Sequence, residues 1–249
     1  VEATSVGVGI AVGGAGGFSL TFAGSGAIAT TTATNLTEAI IGGGSSVVAT
    51  SGMVTLTATD DTEIDVEVLA LSVSGGGAGG VSINVSLAAA VALTDVQSTM
   101  RSVIDDSSVT AGGAVALSAD ATTDVSTLGT GVAISIGGAG GLGVSGAGAA
   151  AVVGNTVDTT VEALIADSDT LDGQAVTAGG GVTVSATDNL SVDADANAAS
   201  AAITGGTVAI SVSLAAALAS NVSTGVTRAG IRNSRVDANG GDVQVSAES

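Results

Sequence analysis

Almost every side chain in this sequence that could do chemistry is a carboxylate. Asp and Glu number 23 against four basic residues, all Arg, and there is no His, Lys or Cys. The usual nucleophile–base pairs, and metal sites built on thiolate or imidazole, therefore have nothing to form from. Carboxylates alone can still bind hard cations or, in pairs, cleave glycosides. A sugar-cleaving site normally gathers aromatic platforms, and this chain has two Phe and no Trp or Tyr. The expectation is that the protein is not an enzyme.

The carboxylates recur in phase with a repeated strand-like run. Asp60 and Asp188 each lie six positions after the Val that opens such a run, Asp65 and Asp193 eleven, and Asp120 and Glu248 five. Stacked, these positions would form columns of like charge that repel unless counterions sit among them. Calcium is the natural occupant, so Asp60, Asp65, Asp120, Asp188 and Asp193 are the candidate ligands. The plainer reading is a solvated acidic face, since the spacings match neither an EF-hand loop nor the calcium-binding nonapeptide. Arg228, Arg232 and Arg235 are candidate contacts for a ligand or partner; the plainer reading pairs them with acidic neighbours. Asn-x-Ser/Thr sequons fall at Asn35, Asn84, Asn189 and Asn221. Asn35, Asn189 and Asn221 are candidate glycan acceptors, while Asn84 sits in an expected strand.

The elements that would position these residues are repeats. Val54-Thr55-Leu56-Thr57-Ala58 returns from Val115, Val182 and Val243, at spacings of 61, 67 and 61 residues. Gly-Gly-Ala-Gly-Gly starts at Gly13, Gly76 and Gly137 and is shortened at Gly205-Gly206-Thr207. A third landmark runs Ile104-Asp105-Asp106-Ser107-Ser108-Val109-Thr110-Ala111-Gly112-Gly113, with a counterpart from Ile231 to Gly241 and a looser copy carrying an insertion near Leu171-Asp172-Gly173. These divide 1–249 into one array with units 1–53, 54–114, 115–181 and 182–249. The last strand ends where the first segment would continue, so the chain reads as a cut from an array or a unit able to join head to tail.

Within each unit apolar and polar residues alternate with period two, as in Val54–Ala58, Ile64–Val68 and Val81–Leu87. A turn is expected near Asp60-Asp61. The Ala-rich run 87–93 reads as a strand, and the uncharged stretch 131–154 as a strand pair and not a membrane helix. Apolar residues make up 45% of the chain, mostly Ala and Val, with 39 Gly and mean hydropathy +0.63. That argues against disorder and for a thin core with closely spaced backbones. The expected fold is all-β: an elongated β-solenoid of about four units, each making several coils or one unusually wide one. The alternative is an array of antiparallel hairpins turning at Gly-Gly-Ala-Gly-Gly.

Ser107–Gly113 followed by Val115–Ala119, Gly240–Ala247, and the small-residue run after Gly-Gly-Ala-Gly-Gly resemble repeats of very large bacterial surface proteins. These include filamentous adhesins of the fusobacterial leukotoxin type. The resemblance implies secretion, an elongated β-rich shape, and a role in adhesion or cell-surface architecture. The expected function is a structural repeat module of an extracellular bacterial fibre or giant cell-surface protein. The alternatives are a ligand-binding adhesin segment, with Leu171–Gln174 and the three Arg as contact sites, and a calcium-dependent module. Expected partners are copies of itself or adjacent repeats end to end, and a cell-surface or matrix ligand. A net charge of −19 excludes nucleic acid, and no membrane insertion is expected.

Overall fold

The protein is described here by a computed structural model covering residues 1–169 and 174–249. Each unit contributes two long strands and one short one. The long first strands are β1 (Glu2–Ala15), β4 (Val54–Ala78), β7 (Val115–Ala139) and β10 (Val182–Gly205), followed at the end by β13 (Val243–Glu248). The long second strands are β2 (Phe18–Ile41), β5 (Val81–Asp105), β8 (Leu142–Ala166) and β11 (Val208–Arg232). The short strands are β3 (Ser46–Ala49), β6 (Ser108–Ala111), β9 (Val176–Ala178) and β12 (Val236–Ala238). No helix occurs among the described residues.

Consecutive strands do not pair. Each pairs in parallel with its counterpart one repeat away, giving a front sheet β1-β4-β7-β10-β13, a back sheet β11-β8-β5-β2 and a base sheet β12-β9-β6-β3. This is the β-solenoid, with each repeat making one very wide coil. The hairpin alternative fails here: Gly-Gly-Ala-Gly-Gly does turn the chain, but the strands on either side lie in different sheets. The register follows the sequence spacing, Val54 beside Val115, Val115 beside Val182 and Val182 beside Val243. A strand of 25 residues is about 80 Å long, while one coil adds only about 4.8 Å to the stack. The cross-section is therefore a flattened loop, with two long sides, a glycine tip and a short base.

The base half has an ordinary apolar interior. Leu56, Met100, Ile104, Val109, Leu117, Ile165 and Val184 pack into one buried cluster where the three sheets meet. Inward and outward positions then alternate along the long strands up to the base corner, where Ser102, Val103 and Ile104 are all buried. The turn expected near Asp60-Asp61 is absent because β4 runs straight through it. Asp60 takes an inward position there and accepts bonds from Thr62 Oγ1 at 2.7 Å, Ser98 Oγ at 3.1 Å and Asn35 Nδ2 at 3.3 Å. With these donors facing it, an acidic residue can continue the strand instead of ending it.

Towards the tip the polarity inverts. Inward residues become Ser72, Ser74, Ser82, Asn84, Ser86, Ser135 and Ser145, all fully buried. Outward residues become Leu69, Leu71 and Val73 on β4 and Val81, Ile83, Val85 and Leu87 on β5. Inward glycines let the two sheets close on each other. A Cβ on Gly131 would collide with the Ala150 carbonyl, and one on Gly76 or Gly137 with the Asn84 amide held between them. The coil thus tapers from an apolar-cored base to a thin blade with small polar residues inside and large apolar ones outside.

Candidate functional site

The five predicted calcium ligands are not brought together. Asp60 and Asp188 do share an inward row, but Ala121 lies between them; Asp65 and Asp193 share an outward row, with Ser126 between. Asp120 is flanked by Thr59 and Thr187. The in-phase acids are two coils apart, about 10 Å, so no column of adjacent like charge forms among these five. Adjacent acids occur instead at Glu2 beside Asp65 and at Glu63 beside Asp124, on the outer front face. Among the described residues no group of three Asp or Glu is arranged to hold a metal ion.

Asp188 has a distinct environment. It is 6% exposed and accepts a 2.6 Å bond from Thr159 Oγ1, while its Oδ1 is buried without a partner. The facing row in the back sheet runs Asn35, Ser98, Thr159, Gly225. Asn35 and Ser98 both serve Asp60, whereas Gly225 has no side chain to offer Asp188.

The cationic candidates are ion-paired across coils or locally. Arg228 lies 3.4 Å from Glu162, Arg232 4.0 Å from Asp167 and Arg235 2.8 Å from Asp237. Arg228 also ends an alternating row, Glu38, Arg101, Glu162, Arg228, on the outer back face. Arg101 bridges to Glu38 at 3.2 Å and to Glu162 at 3.4 Å. This row went unnoticed in the sequence, although its members recur one per repeat, as the Val runs do. Gln174 closes the described side of the insertion, donating from Nε2 to the Asp106 carboxylate at 2.9 Å. Leu171, Asp172 and Gly173 lie outside the described residues.

The candidate glycan acceptors separate by face. Asn189 is exposed on the outer front face. Asn35 donates to Asp60 and Thr62 between the sheets. Asn221 likewise points inward, donating to the Val192 carbonyl at 3.0 Å and accepting from Asn155 at 3.1 Å. A glycan on either would require these bonds to break. Asn84 is fully buried.

Two ladders hold coil to coil beyond the strands. At the corner before each short strand, Ser45 N donates to Ser107 Oγ, Ser107 N to Ser168 Oγ and Ser168 N to Ser234 Oγ, at 3.1 to 3.2 Å. The residue ahead of each of the last three serines, Asp106, Asp167 or Asn233, has positive φ, a conformation Asp and Asn tolerate better than most residues. At the tip, Gly79 N, Gly80 N and Val81 N donate to carbonyls of the preceding coil, and Gly140 N, Gly141 N and Leu142 N do the same one coil on.

The outer faces of the tip half carry the largest unassigned feature. Residues 3–37, 68–94, 125–157 and 196–227 contain no charged side chain, and these four stretches stack. On the back face the rows outward from the tip are Phe18/Val81/Leu142/Val208, Leu20/Ile83/Val144/Ile210 and Phe22/Val85/Gly146/Val212. Apolar or small residues continue to Ile28/Val91/Val152/Leu218. On the front face, Val8/Leu71/Val132/Ala199 and Ile10/Val73/Ile134/Ala201 make matching rows. A shallow groove of about 490 Å³ runs across the back rows where Gly24 and Gly148 alternate with Leu87 and Leu214.

No family model matches the chain, and neither a curated protein nor a solved structure matches it.

Proposed function

We propose that this chain is a structural repeat module of an extracellular bacterial fibre or giant cell-surface protein, and that its work is mechanical. The observation that carries the reading is the unbroken coil-to-coil register. Each strand of the two inner coils, β4 to β9, pairs with its counterpart in both neighbouring coils, and the serine and glycine corners repeat the pairing at the turns. Such a stack propagates by repetition, each coil serving as template for the next. Free strand edges favour pairing with another coil, so the expected partners are further repeats, in one chain or several. The acidic outer front face of the base half, with Asp61, Glu63, Asp65, Glu67, Asp120 and Asp124, keeps neighbouring stacks apart.

Electron microscopy of the purified chain at increasing concentration tests this. Stacks growing along the coil axis are the expected result. Particles of single-chain height at every concentration would reject assembly through the edges and restrict the reading to a covalent array.

A further inference from the structure

The stacked tip half has the polarity expected of a protein surface surrounded by hydrocarbon. Its interior is polar nearest the tip, where Ser86 donates to Ser72 at 2.8 Å, Ser74 to Ser135 at 3.1 Å and Asn84 to Ser82 at 3.0 Å while Thr21 Oγ1, Ser25 Oγ and Asn84 Oδ1 keep no partner. Behind that it is lined by small apolar residues such as Ala88, Ala90, Ala147 and Ala149. Its exterior is apolar on both broad faces, with an uncharged glycine tip between them. Phe18 and Phe22, the only aromatic residues of the chain, are 58% and 61% exposed there. In water this arrangement places large side chains where they gain least and small ones where burial counts most.

We propose that the tip half of the stacked coils inserts into the hydrocarbon of a lipid bilayer. Three observations select lipid over a protein partner. First, the apolar rows from Phe18 to Ile28 span ten residues, about 33 Å at ~3.3 Å per residue, close to the ~30 Å hydrocarbon core of a bilayer. Second, apolar residues cover the back face and the front rows nearest the tip, as far as Thr130 and Asn197, and no charge interrupts the tip, whereas one docked protein would cover a single face. Third, the backbone is prepared for a medium without water. In the two inner coils β4, β5, β7 and β8 are paired on both sides through the apolar rows, and the tip N–H groups named above are bonded to the coil before. Unpaired backbone groups are what exclude most non-helical structure from membranes.

The charges agree with such a placement. The first acids met from the tip are Glu67 on β4 and Asp95 on β5, at the depth where the headgroups would lie. This departs from the sequence expectation of no membrane insertion, which rests on the strand-like alternation of 131–154 and on the net charge of −19. The outer coils leave β1, β2, β10 and β11 unpaired on one side through the same rows, so insertion needs further coils at both edges and the inference rests on the stacking proposed above. Stacking is read by microscopy without lipid, which keeps the two failures distinguishable.

The chain has no cysteine, so single labels can be placed at will. Leu87→Cys on the back belt, Ile136→Cys on the front belt, and Thr99→Cys beyond the first acid on β5 would each carry an environment-sensitive fluorophore. With neutral phosphatidylcholine vesicles, the labels at 87 and 136 should shift to the blue and be quenched by acyl-chain spin labels, while the label at 99 stays unchanged. Leu87→Arg with Leu214→Arg should lower the vesicle-bound fraction on the order of tenfold or more, with an unaltered far-ultraviolet circular dichroism spectrum. The proposal is overturned if vesicles leave all three labels unchanged. It is equally overturned if the belt labels shift with protein concentration alone and not with lipid, because a second copy then covers the belt.

Discussion

Asp188 and Asp60 occupy the same inward row, yet only Asp60 is well served. Its donors come from Thr62 on its own strand and from Asn35 and Ser98 opposite, whereas Asp188 has Thr159 alone and faces Gly225. A Cβ on Gly225 would stand 3.6 Å from Asp188 Oδ2 and 3.1 Å from Thr159 Oγ1. Gly225→Ser places a hydroxyl where the neighbouring coils already have Ser98 and Thr159. We expect this substitution to stabilise the fold by about 1 kcal/mol, read as a higher midpoint in urea. Gly131→Ala should do the reverse. Its methyl group meets the Ala150 backbone, which cannot move without opening the ladder, and a loss of about 1–3 kcal/mol is expected in the same measurement. For the alternating row on the back face, Glu162→Gln removes the partner shared by Arg101 and Arg228. Both Arg side chains are well exposed, 39% and 64%, so the cost should be about 0.5–1 kcal/mol at low salt and should fade as salt screens the row.

At the scale of the element, much of the architecture was legible in the sequence. The Val runs that recur every 61 to 67 residues are the positions that pair across coils, and period-two alternation marked the long strands correctly from Val54 to Ala58. Two features resisted reading. Asp60-Asp61 resembled a turn because nothing local shows that Asn35, Ser98 and Thr62 converge on an inward carboxylate. The inversion towards the tip resisted for a related reason. Alternation in Val81–Leu87 is as regular as in the base half, and alternation alone does not say which phase faces the partner sheet. That was decided by Asn84 and the serines bonding within the blade, and by Gly131 and its equivalents bringing the sheets together. The acids failed to converge because the recurrence linking Asp60 to Asp188 skips a coil. The two halves should respond differently to truncation. Ile165→Ala, in the base cluster, should cost about 2–5 kcal/mol, whereas Leu87→Ala, 47% exposed on the blade, should change stability in water by about 0.5 kcal/mol or less. Urea unfolding of both variants checks the contrast.

For the whole molecule, no described group of acids offers a cation a full set of ligands. The melting temperature should therefore be the same in chelator as in millimolar calcium; a large rise with calcium would reveal a site formed between stacked chains. The shape of the coil carries a further consequence. Roughly sixty residues are laid down for each step of about 4.8 Å, whereas familiar solenoids use 20 to 45 residues per structural repeat. A chain built this way gains breadth far faster than reach. Its mechanical analogue is a plank: bending within the broad plane strains long rows of backbone bonds at opposite margins, while bending across the thin direction strains few. Assemblies of such coils should therefore curve and roll about one axis and stay straight about the other.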